Sequence, residues 1–298
     1  MEKKKKKKYS RTDRVILGIG FTILGLFVLS IAIPIVYVVL ASFMDPNVLN
    51  NQGLSFNIKD WTLDAYRRVL ENAMIWRGFL NSFLYSLAFT VISVFVTLLA
   101  AYPLSKKEFV GRKIFNIIFL ITMFFGGGMI PTFLLYKQLG LTNSFGVYVI
   151  PGMVSAFNML VIRTYMNGIS DSLEESAQLD GAGYTTIFLK IYSPLCKPVY
   201  ATVALFVAVG QWNSWFDAML YNRMNSNLTT LQYELMKLLS SVTTQGTSVE
   251  AMKNAAGSVT PTSVRAAATI ITMLPIICIY PFLQKYFVAG LTLGGVKE

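Results

Sequence analysis

Six apolar runs, each about as long as a membrane span, are separated by polar links. They cover residues 15–43, 78–104, 114–136, 145–166, 199–221 and 266–288. About 20 consecutive apolar residues cross a hydrocarbon core of ~30 Å. Within lipid the backbone must satisfy its own hydrogen bonds, so runs of this length predict helices. The expected fold class is all-α, a polytopic membrane protein with six transmembrane helices. The polar remainder is a basic tail at 1–14, a loop at 44–77, a link at 105–113, a stretch at 171–198, a loop at 222–261 and a tail at 289–298. Pro34 is a candidate kink in the first run, tolerable where neighbouring helices re-satisfy the freed backbone. Trp61 and Trp76, in the first long loop, suit a water–lipid boundary.

Six spans return both ends to one side, and the basic residues say which. Seventeen of the 26 lysines and arginines fall on the N-terminal side: eight before the first run, four in the 105–113 link, then Arg163, Lys190, Lys197, Lys285 and Lys297. Cytoplasmic segments carry such an excess, so both termini and the 171–198 stretch are expected in the cytoplasm. The opening MEKKKKKKYSRTDR then acts as a lipid-surface anchor, each lysine gaining about 1 kcal/mol near anionic headgroups. The net charge of +11 does not imply nucleic acid, because no folded nucleic-acid module accompanies the arm. A cleaved signal peptide is not expected either: the first run exceeds the ~7–15 residues of a signal core, and no A-x-A site closes it.

Composition narrows the class further. The chain has 298 residues, 54% hydrophobic and 14% charged, with mean hydropathy +0.54. Soluble domains average about 25% charged residues, so this chain belongs in a bilayer. Two cysteines make no disulfide framework or metal motif, and the absence of histidine excludes histidine-based catalysis and ligation. No catalytic residue and no metal site is expected.

The stretch at 171–198, DSLEESAQLDGAGYTTIFLKIYSPLCKP, holds four acids close together: Asp171, Glu174, Glu175 and Asp180. Ser170, Asp171 or Ser172 can cap a first short helix, with Glu174 and Glu175 near its positive end. Gly181 and Gly183 supply a bend at least steric cost. Tyr184 to Tyr192 restarts as a second helix, with Ile187, Phe188 and Ile191 on one face. Pro194 and Pro198, lacking an N–H, are expected to end it. Spacing alone leaves open an ordinary helical hairpin in a cytosolic loop.

Glu175-Ser176-Ala177-Gln178-Leu179-Asp180-Gly181-Ala182, followed by Phe188, Ile191 and Pro194, resembles the EAA loop of binding-protein-dependent ABC importer permeases. The D-G-A continuation is similar to the carbohydrate branch. Ser176 replaces the middle alanine and Ser193 the leucine before proline. Asn81-Ser82, AYPLSKKEFVGRK, Ile130-Pro131 with Leu139-Gly140-Leu141-Thr142-Asn143, and Gln211-Trp212-Asn213-Ser214-Trp215 resemble further parts of that family. The ending from Gln284 to Lys297 is similar to the tail of the second permease of maltose-type importers.

This resemblance implies a type I ABC importer fold, with the transmembrane type-1 domain at 78–288. It implies ATPase coupling by Glu174, Glu175, Ser176, Ala177, Asp180, Gly181, Ala182 and Gly183, and an ATPase-facing tail of Gly290, Leu291, Thr292, Gly294 and Gly295. The implied partners are a second, homologous permease, two ABC ATPase subunits, an extracellular solute-binding protein and membrane lipid. The implied substrate is a carbohydrate, an oligosaccharide, and the implied home a bacterial plasma membrane, Gram-positive in particular. In such importers the loop within 222–261 reaches into the binding protein.

No cofactor is expected in this chain, with ATP and Mg held by the ATPase partner. A P-loop needs GxxxxGK[ST], and the one glycine run, Gly126-Gly127-Gly128, leads into Met-Ile-Pro without a lysine. Close helix packing is its expected role.

Polar and aromatic positions inside spans are the candidates for a sugar path: Trp212, Asn213, Trp215, Asp217 and Asn158. Aromatic faces suit sugar C–H surfaces, and amides and carboxylates suit hydroxyls. The alternative is that the tryptophans mark an interface and Asn213 bonds a neighbouring helix. Two other classes remain open, apart from import of a non-sugar solute. An ion-coupled transporter usually needs a relay of buried acids or histidine and inverted repeats, and this sequence has no histidine, few buried acids and no repeat. A membrane enzyme needs a nucleophile, metal or carboxylate constellation that is equally missing.

Overall fold

The computed structural model describes residues 10–245 and 261–292. Helices carry almost all of it; the described residues contain one isolated antiparallel bridge, Met44 to Trp61, and no sheet. The chain divides into two compact units. Of the described residues, the first comprises 10–69, 242–245 and 261–271, and the second 70–241 with 272–292.

In the first unit, α1 (Arg11–Phe43) is a 33-residue helix that runs unbroken through Pro34. At 1.5 Å per residue it is about 50 Å long. Its most apolar window has no protein cover, as expected of a helix solvated by lipid. The backbone N–H of Ser10 donates to the Asp13 carboxylate at 3.0 Å, fixing the helix start. Beyond it, α2 (Pro46–Gln52) and α3 (Asp64–Glu71) are held by Asp45 N–H to Asp60 C=O at 2.7 Å and Thr62 N–H to Phe43 C=O at 2.6 Å. Ala41, Met44, Leu49 and Ala266 form the buried core of this unit.

The second unit is built on α4 (Ala73–Ser105), again 33 residues. Its buried stripe includes Gly78, Ser82, Ser86, Ser93, Thr97 and Ala101, small residues spaced mostly four apart. Small side chains let helices approach closely where lipid supplies no hydrophobic drive. Against this stripe pack α7 (Ala156–Met166) and α10 (Lys197–Trp212). Between α4 and α7 come α5 (Arg112–Phe124), α6 (Met129–Gln138) and a 3-10 turn at Phe145–Tyr148. Between α7 and α10 lie α8 (Asp171–Leu179) and α9 (Tyr184–Leu195). The chain continues with α11 (Phe216–Tyr221), α12 (Leu231–Gln245) and α13 (Pro261–Thr292).

Two buried clusters sit near opposite ends of α4. At the Ser105 end, Ala101, Leu104, Met159, Ile162, Met166, Ile187 and Tyr192 pack together. Towards the Ala73 end, Tyr85 stacks on Tyr148 at 4.3 Å beside Val147, Ala218 and Tyr221.

Several runs read as single spans are broken. The 114–136 run is two helices, α5 and α6, bent by 113° at 125–128. Gly128 has φ +84, and a Cβ on Gly126 or Gly127 would meet nothing within 4 Å. Within this chain the glycine run is therefore a bend, not the close packing its apolar setting suggested. The 145–166 run is helical only at the 3-10 turn and α7, because Pro151 and Gly152 (φ +76) turn the backbone between them. The 199–221 run breaks at 213–215, after Trp212. Among the described residues α1, α4 and 262–281 of α13 are each long and apolar enough to cross a membrane, and the total is up to five if each of two bent helix pairs forms one span.

Candidate functional site

The acidic stretch folds as the two-helix elbow its residues suggest. Ser170 occupies the N-cap of α8, with Asp171 and Glu174 in the first turn. At the other end Ala182 N–H reaches Ala177 C=O at 2.9 Å and Gly181 N–H reaches Gln178 C=O at 3.0 Å. This paired closure needs a left-handed residue, and Gly181 supplies it at φ +80. Gly183 then begins α9, whose Ile187, Phe188 and Ile191 face the core. Pro194 does not end the helix after Tyr192, as its missing N–H suggested. A wide π turn at Phe188–Tyr192 opens the hydrogen-bond ladder, and a last turn, Ser193–Leu195, absorbs the proline. The direction changes at Cys196, where α9 and α10 are bent by 74°.

The elbow divides its acids between two faces. Asp171 and Glu174, three apart on one helix, both turn towards the end of α4. Lys107 Nζ lies 3.0 Å from the Asp171 carboxylate in the open, and that bond holds the ammonium pKa above its ordinary value. Lys106 is only 8% exposed and forms an ion pair with Glu174. The Tyr192 hydroxyl donates to the same carboxylate at 2.8 Å. Burial, and after it Glu174, pushes the Tyr192 phenol well up, so it stays a donor at neutral pH. The Lys106 ammonium also lies 3.6 Å from the Tyr192 ring centre and 4.7 Å from that of Tyr102. Lysine is rarely buried unless paired, and here a carboxylate and two aromatic faces surround it.

The opposite face of the elbow is bare. Glu175, Ser176 and Asp180 are exposed, and Leu179 at the bend is 90% exposed. Ala177 and Ala182 are half-buried beneath them. Among the described residues, Glu175 and Asp180 flank this apolar tip without an ion pair.

The path candidates are dispersed. Trp212 is buried, its indole N–H donates to Thr272 C=O at 3.1 Å, and its ring meets Phe79 edge-on at 5.7 Å. Trp212→Ala should therefore destabilise the protein by about 3–5 kcal/mol, measured as a lower thermal midpoint in detergent. Asn213 is exposed, donating to Val209 C=O at 2.9 Å and accepting from Gln232 Nε2 at 3.2 Å. Trp215 stands edge-on to Phe216, and Asp217 accepts from Ser214 Oγ at 3.1 Å.

Asn158 is set apart from these four. It lines a cavity of about 450 Å³ together with Phe89, Ser93, Ser155, Phe206 and Gln211. Composition did not single out the last five, because only the fold brings α4, α7 and α10 together there. Gly290, Leu291 and Thr292 end α13, but their side chains lie outside the described residues, as do Gly294 and Gly295, residues 246–260 and the lysine run.

No family model matches the chain. Individual proteins do. The polygalacturonan/rhamnogalacturonan transport system permease protein YtcP of Bacillus subtilis is 34% identical over 279 residues, covering 93% of this chain and 96% of its own length. Protein LplC of the same organism is 37% identical over 268 residues, 89% of either chain. Among solved structures, a bacterial ABC transporter involved in the import of the acidic polysaccharide alginate matches with a TM-score of 0.83 and 33% identity. That match covers 95% of this chain and all of the other. A long apolar rod, a bent acidic elbow and full-length similarity agree: the chain belongs to the carbohydrate ABC importer permeases, multi-pass proteins of the bacterial cell membrane whose ATPase is a separate subunit.

Proposed function

We propose that this chain is one of two permeases in an importer that carries an oligosaccharide across a Gram-positive plasma membrane. Six spans cross the bilayer: α1, α4, the α5–α6 pair, the 145–166 segment, the 199–221 run and α13, with the elbow and both termini in the cytoplasm. A second, homologous permease stands beside it, two ATPase subunits bind below, and an extracellular solute-binding protein delivers the sugar above.

The observation that carries this reading is the two-faced elbow. Its inner face is committed to α4, and its outer face presents Leu179, Glu175 and Asp180 without ion-pair partners among the described residues. Docking of the ATPase on that face would turn nucleotide-driven closure into movement of the spans. The ATP-bound state must favour the outward-open form, since a ligand shifts only the equilibrium whose states it distinguishes. Ser176 and Gly181 to Gly183 complete the docking turn, and the tail at 290–295 meets the ATPase as well. Affinity purification tests the assembly: the tagged permease should bring a second permease and an ATPase, and recovery of the chain alone would reject it.

For the sugar, hydroxyls must be met by polar groups, because each unpaired one in an apolar setting costs on the order of kcal/mol. The cavity is lined by the side chains of Asn158 and Gln211 and by Phe89 and Phe206, with the Gln211 amide also donating to Tyr148 C=O at 3.0 Å. Asn213, Trp215 and Asp217 lie beyond it on the same polypeptide run. Asn158→Leu should lower sugar uptake by roughly tenfold, the scale of one lost substrate hydrogen bond in a buried site. Uptake by whole cells and the yield of assembled complex measure this together. Full uptake by the variant would move the path elsewhere.

A further inference from the structure

Glu174 holds three segments at once. It sits on α8, pairs with Lys106 at the end of α4, and accepts from Tyr192 on α9. The rings of Tyr192 and Tyr102 close over the same ammonium, and the Tyr102 hydroxyl donates to Tyr184 C=O at 3.2 Å where α9 begins. Both helices of the elbow are thereby fastened to the last turn of α4. Two lysines in sequence meet two acids one helical turn apart, so the contact also resists rotation of α8 about its own axis.

We propose that the cluster of Lys106, Glu174, Tyr192 and Tyr102 is the joint that delivers movement of the elbow to α4. This rests on the coupling role proposed above, and it assigns Glu174 and Lys106 as positioning residues, distinct from the docking face at Glu175 and Leu179. Low exposure gives the joint its stiffness. A charge pair screened by water yields to a push, whereas one enclosed by aromatic rings cannot separate without leaving a charge unpaired. The elbow and α4 then move as one body, and a helix of 33 residues carries the displacement through the unit. Without the joint, the ATPase would still find its docking face, but the elbow would pivot on its links to α7 at 167–170 and to α10 at Cys196.

The test uses the whole importer, reconstituted with its ATPase, second permease and binding protein in lipid vesicles. The readouts are sugar moved per ATP hydrolysed, ATPase retained on the purified complex, and thermal stability. Lys106→Met, Glu174→Gln and the pair K106M/E174Q are compared with wild type, and Lys106→Arg is the conservative control. Each neutralising variant should keep its ATPase while sugar moved per ATP falls roughly tenfold, within the range of energetic coupling between sites. Lys106→Arg should stay within about threefold of wild type, since it keeps the charge and the ring contact.

The double variant should be no worse than either single, because both remove one joint. If a single variant fails to assemble, the double, which leaves no unpaired charge, decides the matter. An assembled double variant with wild-type sugar per ATP overturns the proposal, even if it melts earlier, because the pair would then be purely structural. Loss of the ATPase from wild-type complexes would instead reject the docking reading, and the two failures are separable.

Discussion

Glu175→Arg is expected to abolish uptake, by about a hundredfold or more, while the variant permease still folds and reaches the membrane. Glu175 is exposed on the outer face of α8 and makes no ion pair among the described residues, so nothing inside the chain depends on its charge. Folding should shift by no more than about 0.5 kcal/mol, as at other exposed positions. The effect falls on docking. A carboxylate beside Leu179, the most protruding apolar side chain of the elbow, becomes desolvated when a partner covers it. Reversing it opposes any cation that the proposed ATPase face sets against the carboxylate, at a cost of several kcal/mol, and every 1.4 kcal/mol is tenfold in affinity. Pull-down of the ATPase with tagged permease and uptake of the sugar should fall together. Glu175→Gln should lose less, because it removes attraction without adding repulsion. Retention of both ATPase and uptake in the Arg variant would place the docking face elsewhere.

The neighbouring acid, one position away, has the opposite part. Adjacent residues on a helix point about 100° apart, and the sequence does not say which of Glu174 and Glu175 faces inward. That choice depends on Lys106, a residue whose charge spoke only for membrane orientation when read in sequence. Gly181 was legible for the contrary reason: a left-handed closure admits little but glycine, so the bend could be placed without tertiary information. The long helices α1 and α4 were legible because an unbroken apolar run of spanning length leaves the backbone few choices.

The breaks were not legible, since composition cannot separate a helix in lipid from irregular backbone sheltered by protein. Residues 145–166 are as apolar as a span, yet Tyr148 and Asn158 are buried against α4, α10 or the 225–231 segment, and only eleven residues form α7. Trp212 shows the same limit. Its residue type fits a sugar platform or a packing anchor equally, and its bond to Thr272 C=O marks it as an anchor.

Gly78→Val is expected to destabilise the second unit by about 3–5 kcal/mol, from overpacking and lost hydrogen bonds together. A Cβ at Gly78 would stand 3.0 Å from Leu231 N and Thr230 C and 3.1 Å from Leu231 Cα, all of them backbone. That backbone has no slack. Asn81 Nδ2 donates to Asn227 C=O at 2.7 Å and to Thr229 C=O at 2.9 Å, and Tyr85 donates to Thr229 C=O at 2.8 Å. Tyr148 donates to Leu228 C=O at 2.6 Å, and Leu231 N–H donates to Ser82 Oγ at 2.9 Å. A valine must push the segment off α4 and break several of these bonds together, with the N-terminus of α12 displaced as well. Gly18→Val is the control. It lies on α1 where a Cβ meets nothing within 4 Å, and it should change stability by no more than about 0.5 kcal/mol. Thermal unfolding of the purified permease distinguishes the two, and equal midpoints would mean that the 225–231 segment yields freely. A second readout follows from position. This segment opens the 222–261 loop, proposed to meet the binding protein, and it is sewn to one end of the helix whose other end holds the Lys106–Glu174 joint. Partly folded Gly78 variants should therefore lose stimulation of the ATPase by loaded binding protein before they lose basal hydrolysis, because α4 runs unbroken from the 225–231 contacts to the joint.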